Sequence, residues 1–232
     1  MSIAIQLKNI IETLPDNVTL VAVSKTRSPE EILEAYSMGQ RDFGENKVQE
    51  MAAKFEQLPK DIRWHMIGHL QRNKVKYIAG FVHLIHGVDT LRLLEEINRR
   101  AAQENRTIDC LLQVHIAEES SKFGFDAVEI QEIMKGEALT SLTNIRVRGL
   151  MGMATFTEDT DQILREFTGL KSLFDTYFQN HEELAILSIG MSGDYGLAIT
   201  AGSTMVRIGS SIFGSRHWPK NLALPVCIRY LT

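Results

Sequence analysis

The chain has 232 residues, enough for one sizeable core, and we expect a single domain over residues 1–232. Its net charge of -4 and pI near 6.0 give no basic footprint of the kind that nucleic-acid-binding proteins carry. Only two cysteines occur, Cys110 and Cys227, which argues against a disulfide framework and fits a reducing cytoplasm. No apolar run approaches the ~18 residues of a membrane span, so we expect neither nucleic acid nor a membrane as a partner.

The amino-terminal stretch predicts an amphipathic helix, because its apolar residues recur at helical spacing and it lacks the basic start of an export signal. These apolar residues are Ile3, Leu7, Ile10, Ile11 and Leu14. Strand-like and helix-like segments then alternate along the chain. The predicted strands span residues 18–24, 41–45, 62–68, 82–87, 108–116, 147–154, 185–190 and 204–208. The predicted helices span residues 29–38, 47–58, 72–78, 90–104, 126–134, 161–178 and 194–201.

Eight such strand–helix units favour parallel pairing with right-handed crossovers. Within this length we predict a closed (β/α)8 TIM barrel with an extra amino-terminal helix, and a doubly wound open sheet is the alternative. In such barrels the chemistry lies at the carboxyl ends of the strands, so polar residues and glycines at those ends mark a candidate site.

Lys25 ends the first predicted strand, whose run of apolar, mostly β-branched residues indicates burial on both faces. Partial burial disfavours the charged ammonium and favours a nucleophilic amine. The alternative is that Lys25 extends from the strand end to the protein surface.

The loops after predicted strands seven and eight each combine glycine with a serine hydroxyl and precede a helix-like stretch. Ser192, Gly209 and Ser210 are therefore candidates for holding a phosphate, and ordinary tight turns are the alternative. A lysine across the barrel mouth from a phosphate site suggests a phosphorylated aldehyde as ligand. Arg207 lies between the two loops. Arginine only donates hydrogen bonds and would leave a pyridine nitrogen unprotonated, whereas its structural alternative is an ion pair.

Six motifs in this order resemble the pyridoxal 5′-phosphate (PLP) homeostasis protein family, which is related to the amino-terminal barrel of alanine racemase. They read VAVSKT, FGENKVQE, WHMIGHLQRNK, GLMGMA, LSIGMSGDY and STMVRIGSSIFGSR, and the resemblance runs from about residue 18 to residue 216. The resemblance implies a fold-type III PLP-binding barrel. The tail over residues 217–232 matches no motif.

The resemblance also assigns roles to individual residues. It implies that Lys25 forms the Schiff base with PLP, that Asn46 lies beside the cofactor and that Arg207 lies near the pyridine nitrogen. Ser192, Gly209 and Ser210 match the phosphate contacts.

The family resemblance implies a role in vitamin B6 and amino-acid homeostasis without an established reaction, so no catalytic residue is assigned. Apo-PLP enzymes are candidate recipients of the cofactor, and we expect a monomer. The alternatives are a small racemase-like PLP enzyme and a Schiff-base aldolase that uses Lys25 without a cofactor.

Three other features carry weaker expectations. Four histidines, with no carboxylate or cysteine at ligand spacing, do not predict a metal site; they are His65, His69, His83 and His86. Asp194 is expected to cap a helix rather than act as an acid or base. The stretch 118–125, which contains Lys122, is expected to be a solvated loop, with a contact to a ligand or partner as the alternative.

Overall fold

The computed structural model describes residues 2–118, 123–178 and 185–214. In them eight parallel strands close into a barrel in sequence order, with the first strand paired to the eighth. The strands are β1 (Thr19–Val23), β2 (Asp42–Glu45), β3 (Arg63–Met66), β4 (Leu84–Val88), β5 (Ile108–Gln113), β6 (Ile145–Met151), β7 (Ile186–Ser188) and β8 (Met205–Ile208). The predicted TIM barrel is confirmed, and the open-sheet alternative is wrong.

Eight α-helices lie in the described part of the chain, one before the barrel and seven after individual strands. They are α1 (Ile3–Thr13), α2 (Pro29–Ser37), α3 (Val48–Gln57), α4 (Leu91–Gln103), α5 (Ala127–Lys135), α6 (Thr160–Phe178), α7 (Tyr195–Thr200) and α8 (Ser210–Phe213). The helix predicted over 72–78 is a 3₁₀ helix at Arg72–Tyr77. A second 3₁₀ turn, Glu137–Leu139, was not predicted.

Local sequence explains several helix starts. The Ser28 hydroxyl accepts a hydrogen bond from the Glu31 backbone while the Glu31 carboxylate accepts one from the Ser28 backbone, which is a complete capping box. Asp126 and Glu129 form the same arrangement at the start of α5. These reciprocal bonds satisfy amides that the helix itself leaves unpaired.

Several predicted strands extend too far at the carboxyl end, because their last residues form the loops around the site. Strand β3 ends at Met66 rather than residue 68, and β7 ends at Ser188 rather than residue 190. A Cβ atom on Gly68 would lie 2.6 Å from the Asn46 carbonyl oxygen. Gly190 has φ of +93°, a conformation that side chains disfavour. Both glycines permit close approach of backbone just beyond the sheet.

The barrel interior is only partly apolar. A small inner cluster, separate from the larger core between strands and helices, contains Val21, Leu84, Leu111, Met151 and Met205. Polar residues are buried on the strands as well, among them His65, His86 and Ser188. Barrels of this type are usually filled by Val, Ile and Leu, so the polar residues need hydrogen-bond partners inside.

In the described part of the chain, no helix is both long enough and apolar enough to cross a membrane. The tail 217–232, which matches no motif, lies outside the described residues, as do Lys122 and Cys227.

Candidate functional site

A cavity of about 620 Å³ opens at the carboxyl end of the barrel. Six residues predicted from the sequence lie at the carboxyl ends of four strands, and all six line this one cavity. They are Lys25, Asn46, Ser192, Arg207, Gly209 and Ser210. The cavity is within the usual size range of small-molecule sites.

Lys25 follows the end of β1, and its side chain is half-buried and lines the cavity. The residues before and after Lys25 are both held by hydrogen bonds to carboxylates outside the cavity. The Ser24 hydroxyl donates to Glu45 Oε1 at 2.7 Å, and the Thr26 amide donates to Glu50 Oε1 at 2.5 Å. Thr26 adopts φ of 65°, which is unusual for a β-branched residue. The anchors therefore hold the Lys25 loop in a conformation that it would otherwise avoid.

Lys54 on α3 joins these anchors into one network. Its Nζ donates to the Ser24 carbonyl at 2.8 Å and to Glu45 Oε1 and Glu50 Oε1 at 2.7 Å each. Burial raises the pKa of Glu45 to about 7, although the Lys54 ammonium works in the opposite direction. One ammonium thus contacts two carboxylates. The second oxygen of Glu45 is buried and has no hydrogen-bond partner among the residues that the structure describes.

The predicted phosphate-facing residues lie on the loops after β7 and β8. The Gly209 amide donates to Ser192 Oγ at 3.1 Å, so the two loops contact each other. A Cβ atom on Gly209 would lie 3.2 Å from the Val23 carbonyl oxygen and the Val23 Cβ atom. Glycine therefore permits close approach to β1 and places backbone and hydroxyl donors along one side of the cavity.

Asp194 does not act as the predicted side-chain cap of α7. Its carboxylate instead accepts a hydrogen bond from the Met191 amide at 2.5 Å, within the loop that precedes the helix. Burial raises the pKa of Asp194. The aspartate shapes the loop that carries Ser192 rather than the helix itself.

Arg207 on β8 is buried, and it also lines the cavity. Its Nη1 donates to the Ser188 carbonyl and hydroxyl oxygens at 2.7 and 2.6 Å, and its Nη2 donates to the Gly152 carbonyl at 3.0 Å. All three acceptors are uncharged, unlike those of the predicted ion-pair alternative. Burial lowers the pKa of Arg207 to about 10, so the guanidinium stays charged at neutral pH.

Three further residues line the mouth, and two of them, Gln113 and Phe123, were missed. His69 Nδ1 lies 2.8 Å from Asp89 Oδ2, its ring stacks on Phe123 with centroids 4.1 Å apart, and Gln113 Nε2 donates to the Phe123 carbonyl at 2.7 Å. Within the stretch 118–125, Phe123 is 55% exposed, as expected for a solvated loop, and it also lines the cavity, as the alternative of a ligand contact requires. An aromatic residue directly before a glycine, as at 123–124, was the available signal.

The histidines were expected to lack a carboxylate at ligand spacing, and this is wrong. Potential ligand atoms of Asp42, His65 and His83 lie within 4.8 Å of one another at the opposite end of the barrel. The Arg63 guanidinium already binds both Asp42 carboxylate oxygens, at 2.7 and 2.5 Å. A metal ion would have to compete with this positive charge. Asp42 was missed because it belongs to a different strand from the histidines.

The barrel and its site belong to the class of the alanine racemase amino-terminal domain. The sequence model described as "Alanine racemase, N-terminal domain" matches residues 2–217. A solved alanine racemase from Clostridium difficile 630 shares the fold, with a TM-score of 0.75 and 16% identity; the match covers 95% of this chain and 57% of the racemase.

Nearer relatives narrow the class to one family. The pyridoxal phosphate homeostasis protein of Vibrio alginolyticus is 40% identical over 209 residues, covering 88% of this chain and 89% of the relative. The corresponding Escherichia coli K12 protein is 37% identical over 217 residues, covering 89% of each chain. The chain therefore belongs to the pyridoxal phosphate homeostasis protein family, as its motifs predicted.

Two solved structures of one further protein are also similar to this chain. PipY of Synechococcus elongatus PCC7942, solved without PLP, matches with a TM-score of 0.85 and 35% identity over 91% of this chain and all of its own, 100%. The same protein was also solved with PLP bound, and that structure matches with a TM-score of 0.82.

Proposed function

We propose that this protein binds PLP in the cavity at the carboxyl end of the barrel and takes part in intracellular PLP and amino-acid homeostasis. The observation that carries the proposal is the position of Lys25 and of the Ser192–Gly209–Ser210 loops in one cavity. An amine and a set of phosphate-facing donors are the two groups that a phosphorylated aldehyde requires. The PLP-bound structure of PipY supports the same ligand.

In this proposal each residue has one task. Lys25 forms a Schiff base with the cofactor, and the Ser192, Gly209 and Ser210 group binds its phosphate. Asn46, which directly follows β2 and lines the cavity, would lie beside the cofactor. Arg207 donates a hydrogen bond toward the pyridine nitrogen. Because a charged guanidinium only donates, the pyridine nitrogen accepts this bond and stays unprotonated.

PLP supplies an electron sink when bound, and this depends on a protonated ring nitrogen. An arginine beside that nitrogen weakens the sink, which favours holding the cofactor over turning over amino acids. The matches to alanine racemases keep a racemase-like activity as the second candidate. Measuring α-proton exchange of amino acids in D₂O separates the two, since enzyme-like exchange rates would establish the second candidate.

The test of the binding proposal uses purified protein titrated with PLP, followed by borohydride reduction and mapping of the modified peptide. We expect a yellow absorbance band and modification at Lys25. Lys25→Ala should lose both, whereas Lys47→Ala, an exposed lysine outside the cavity lining, should keep both. A wild-type protein that stays colourless, or a modified peptide without Lys25, contradicts the proposal.

We further propose that the protein works as a monomer in the cytoplasm and passes PLP to apo-PLP enzymes. The scarcity of cysteines supports a reducing compartment. Mixing the PLP-loaded protein with an apo-aminotransferase tests the transfer. The aminotransferase activity should be restored faster than by free PLP at the concentration that dissociates from the protein. Restoration at the rate of free PLP would contradict direct transfer.

A further inference from the structure

A continuous column of hydrogen bonds runs through the barrel interior, from its amino end to Arg207. His65 Nε2 lies 3.0 Å from Asp42 Oδ1, and His65 Nδ1 lies 2.9 Å from His86 Nε2. His86 Nδ1 then lies 3.0 Å from Ser188 Oγ, which accepts from Arg207 Nη1 at 2.6 Å. The five residues come from five strands, β2, β3, β4, β8 and β7, and all five are buried.

The charges at the two ends of the column are fixed by their surroundings. Burial opposes ionisation of Asp42, but hydrogen bonds from Arg63 and His65 outweigh it and hold the pKa of Asp42 well below its usual range. Burial lowers the pKa of His86 well below its usual value, so that ring is neutral. The column therefore joins a carboxylate at one end to a guanidinium at the other.

One arrangement of hydrogens satisfies every contact in the column. Arg207 only donates, so Ser188 Oγ accepts from it and directs its own hydroxyl hydrogen to His86 Nδ1. His86 then carries its ring hydrogen on Nε2 and donates to His65 Nδ1, and the hydrogen on His65 Nε2 points to the Asp42 carboxylate. Every donor along the column points away from Arg207 and toward Asp42.

We propose that His86 and His65 are positioning residues for the PLP site, which hold Ser188 and thereby the Arg207 guanidinium in place behind the ring nitrogen. Aligned hydrogen bonds of this kind polarise one another in a buried setting, so the column brings the influence of the Asp42 carboxylate to an arginine that has only uncharged acceptors. The inference rests on the proposed function, because it assigns Arg207 to the ring nitrogen.

The column also explains why the interior of this barrel is not wholly apolar. Leucine at position 86 would fill the space but would leave the Ser188 hydroxyl and His65 Nδ1 without their buried partners, which is costly. Glutamine could replace both functions of the ring, since its amide oxygen accepts and its amide nitrogen donates.

The first test is the tautomer of the two histidines, measured by ¹⁵N NMR on the wild-type protein. We expect both His65 and His86 to carry the hydrogen on Nε2. A hydrogen on Nδ1 of His86 would reverse the column and overturn the inference. This measurement needs no variant and no cofactor, so it is independent of the proposed function.

The second test uses PLP labelled with ¹⁵N at the ring nitrogen, bound to three variants. His86→Leu should shift the ring-nitrogen resonance relative to the wild type, and His86→Gln should restore it. Leu84→Met, a conservative change of an inward apolar residue on the same strand, should leave it unchanged. An unshifted resonance in folded His86→Leu overturns the inference.

Failure of the proposed function looks different, because the wild type itself would then give no bound-cofactor resonance. If His86→Leu does not fold, the His86→Gln variant decides: a resonance unlike that of the wild type contradicts the assignment of the column as a positioning device.

Discussion

At the scale of single residues, the site is shaped by groups that do not enter the cavity. Lys25 carries the proposed chemistry, yet Ser24 and Thr26 hold its backbone through Glu45 and Glu50, with Lys54 between the two carboxylates. Truncating such a support leaves a buried polar group without a partner. Substitutions of these supporting residues, which lie outside the cavity, are therefore expected to alter ligand binding inside it.

The first prediction concerns the pH dependence of stability. Because burial raises the pKa of Glu45 from 4.5 to about 7, the folded protein binds a proton that the unfolded chain has released between these values. The contribution of Glu45 to the free energy of unfolding should therefore fall by roughly 1–3 kcal/mol as pH rises through this window, whereas the lowered pKa of His86 acts in the opposite sense. Glu45→Gln, measured by urea unfolding at several pH values, should shift the wild-type slope toward higher stability at higher pH.

The matched control is Glu34→Gln, on the exposed side of α2, which should keep the wild-type slope. A Glu45→Gln protein with an unchanged slope would show that Glu45 does not titrate in this window.

A second prediction tests the close approach of Gly209 to β1. In Gly209→Ala the new methyl group would lie 3.2 Å from Val23, so either the loop or β1 must move. We expect PLP affinity to fall about tenfold, corresponding to roughly 1–2 kcal/mol of overpacking. Gly193→Ala is the control, since Gly193 also lines the cavity but a Cβ atom there meets nothing within 4 Å. Equal affinities of the two variants in a PLP titration would count against the packing argument.

At the scale of secondary-structure elements, α1 supports the phosphate-facing loop from outside. It packs against α8, and α8 directly follows Gly209. The buried face of α1 consists of Leu7 and Ile10, whereas Ile11 is 45% exposed. The amino-terminal helix is thus connected mechanically to the site.

This connection gives a third prediction. Leu7→Ala should lower the free energy of unfolding by about 2–5 kcal/mol, because it opens a cavity at a fully buried position. It should also weaken PLP binding, since α8 loses part of its support. Ile11→Ala on the exposed face of the same helix should change neither by more than about 0.5 kcal/mol. Denaturant unfolding and PLP titration of both variants check this.

The elements were largely predictable because periodicity and caps are local properties. Pro29 after Ser28 gave the start of α2, and the apolar run before Lys25 gave β1. Strand ends were less predictable, because Gly68 and Gly190 leave the sheet to fit Asn46 and Ala198, which are distant in sequence.

The candidate site was predictable to the same extent: positions along a strand could be predicted, and contacts between strands could not. Lys25 and Arg207 could be placed at strand ends from sequence alone, and the structure brings them into one cavity. The partners of Arg207 and the Asp42–His65 contact could not be placed, since each joins different strands. Asp194 was misread because its loop competes with the helix for the carboxylate.

At the scale of the whole molecule, ligand binding and folding are linked. A ligand that binds only the folded barrel stabilises it by about 2.7 kcal/mol at one hundred times its dissociation constant. We therefore predict that saturating PLP raises the midpoint of urea unfolding, and that Lys25→Ala loses most of this increase. An equal increase in Lys25→Ala would indicate that the stabilisation comes from another site.

The contact between α1 and α8 has a practical consequence for handling the protein. The hydroxyl of Ser2 caps α1, so an affinity tag fused directly ahead of it would lie beside a helix that packs against α8, next to the proposed phosphate loop. Comparing the vitamin B6 affinity of a recombinant preparation before and after cleavage of such a tag would show whether a disturbance at α1 reaches that loop.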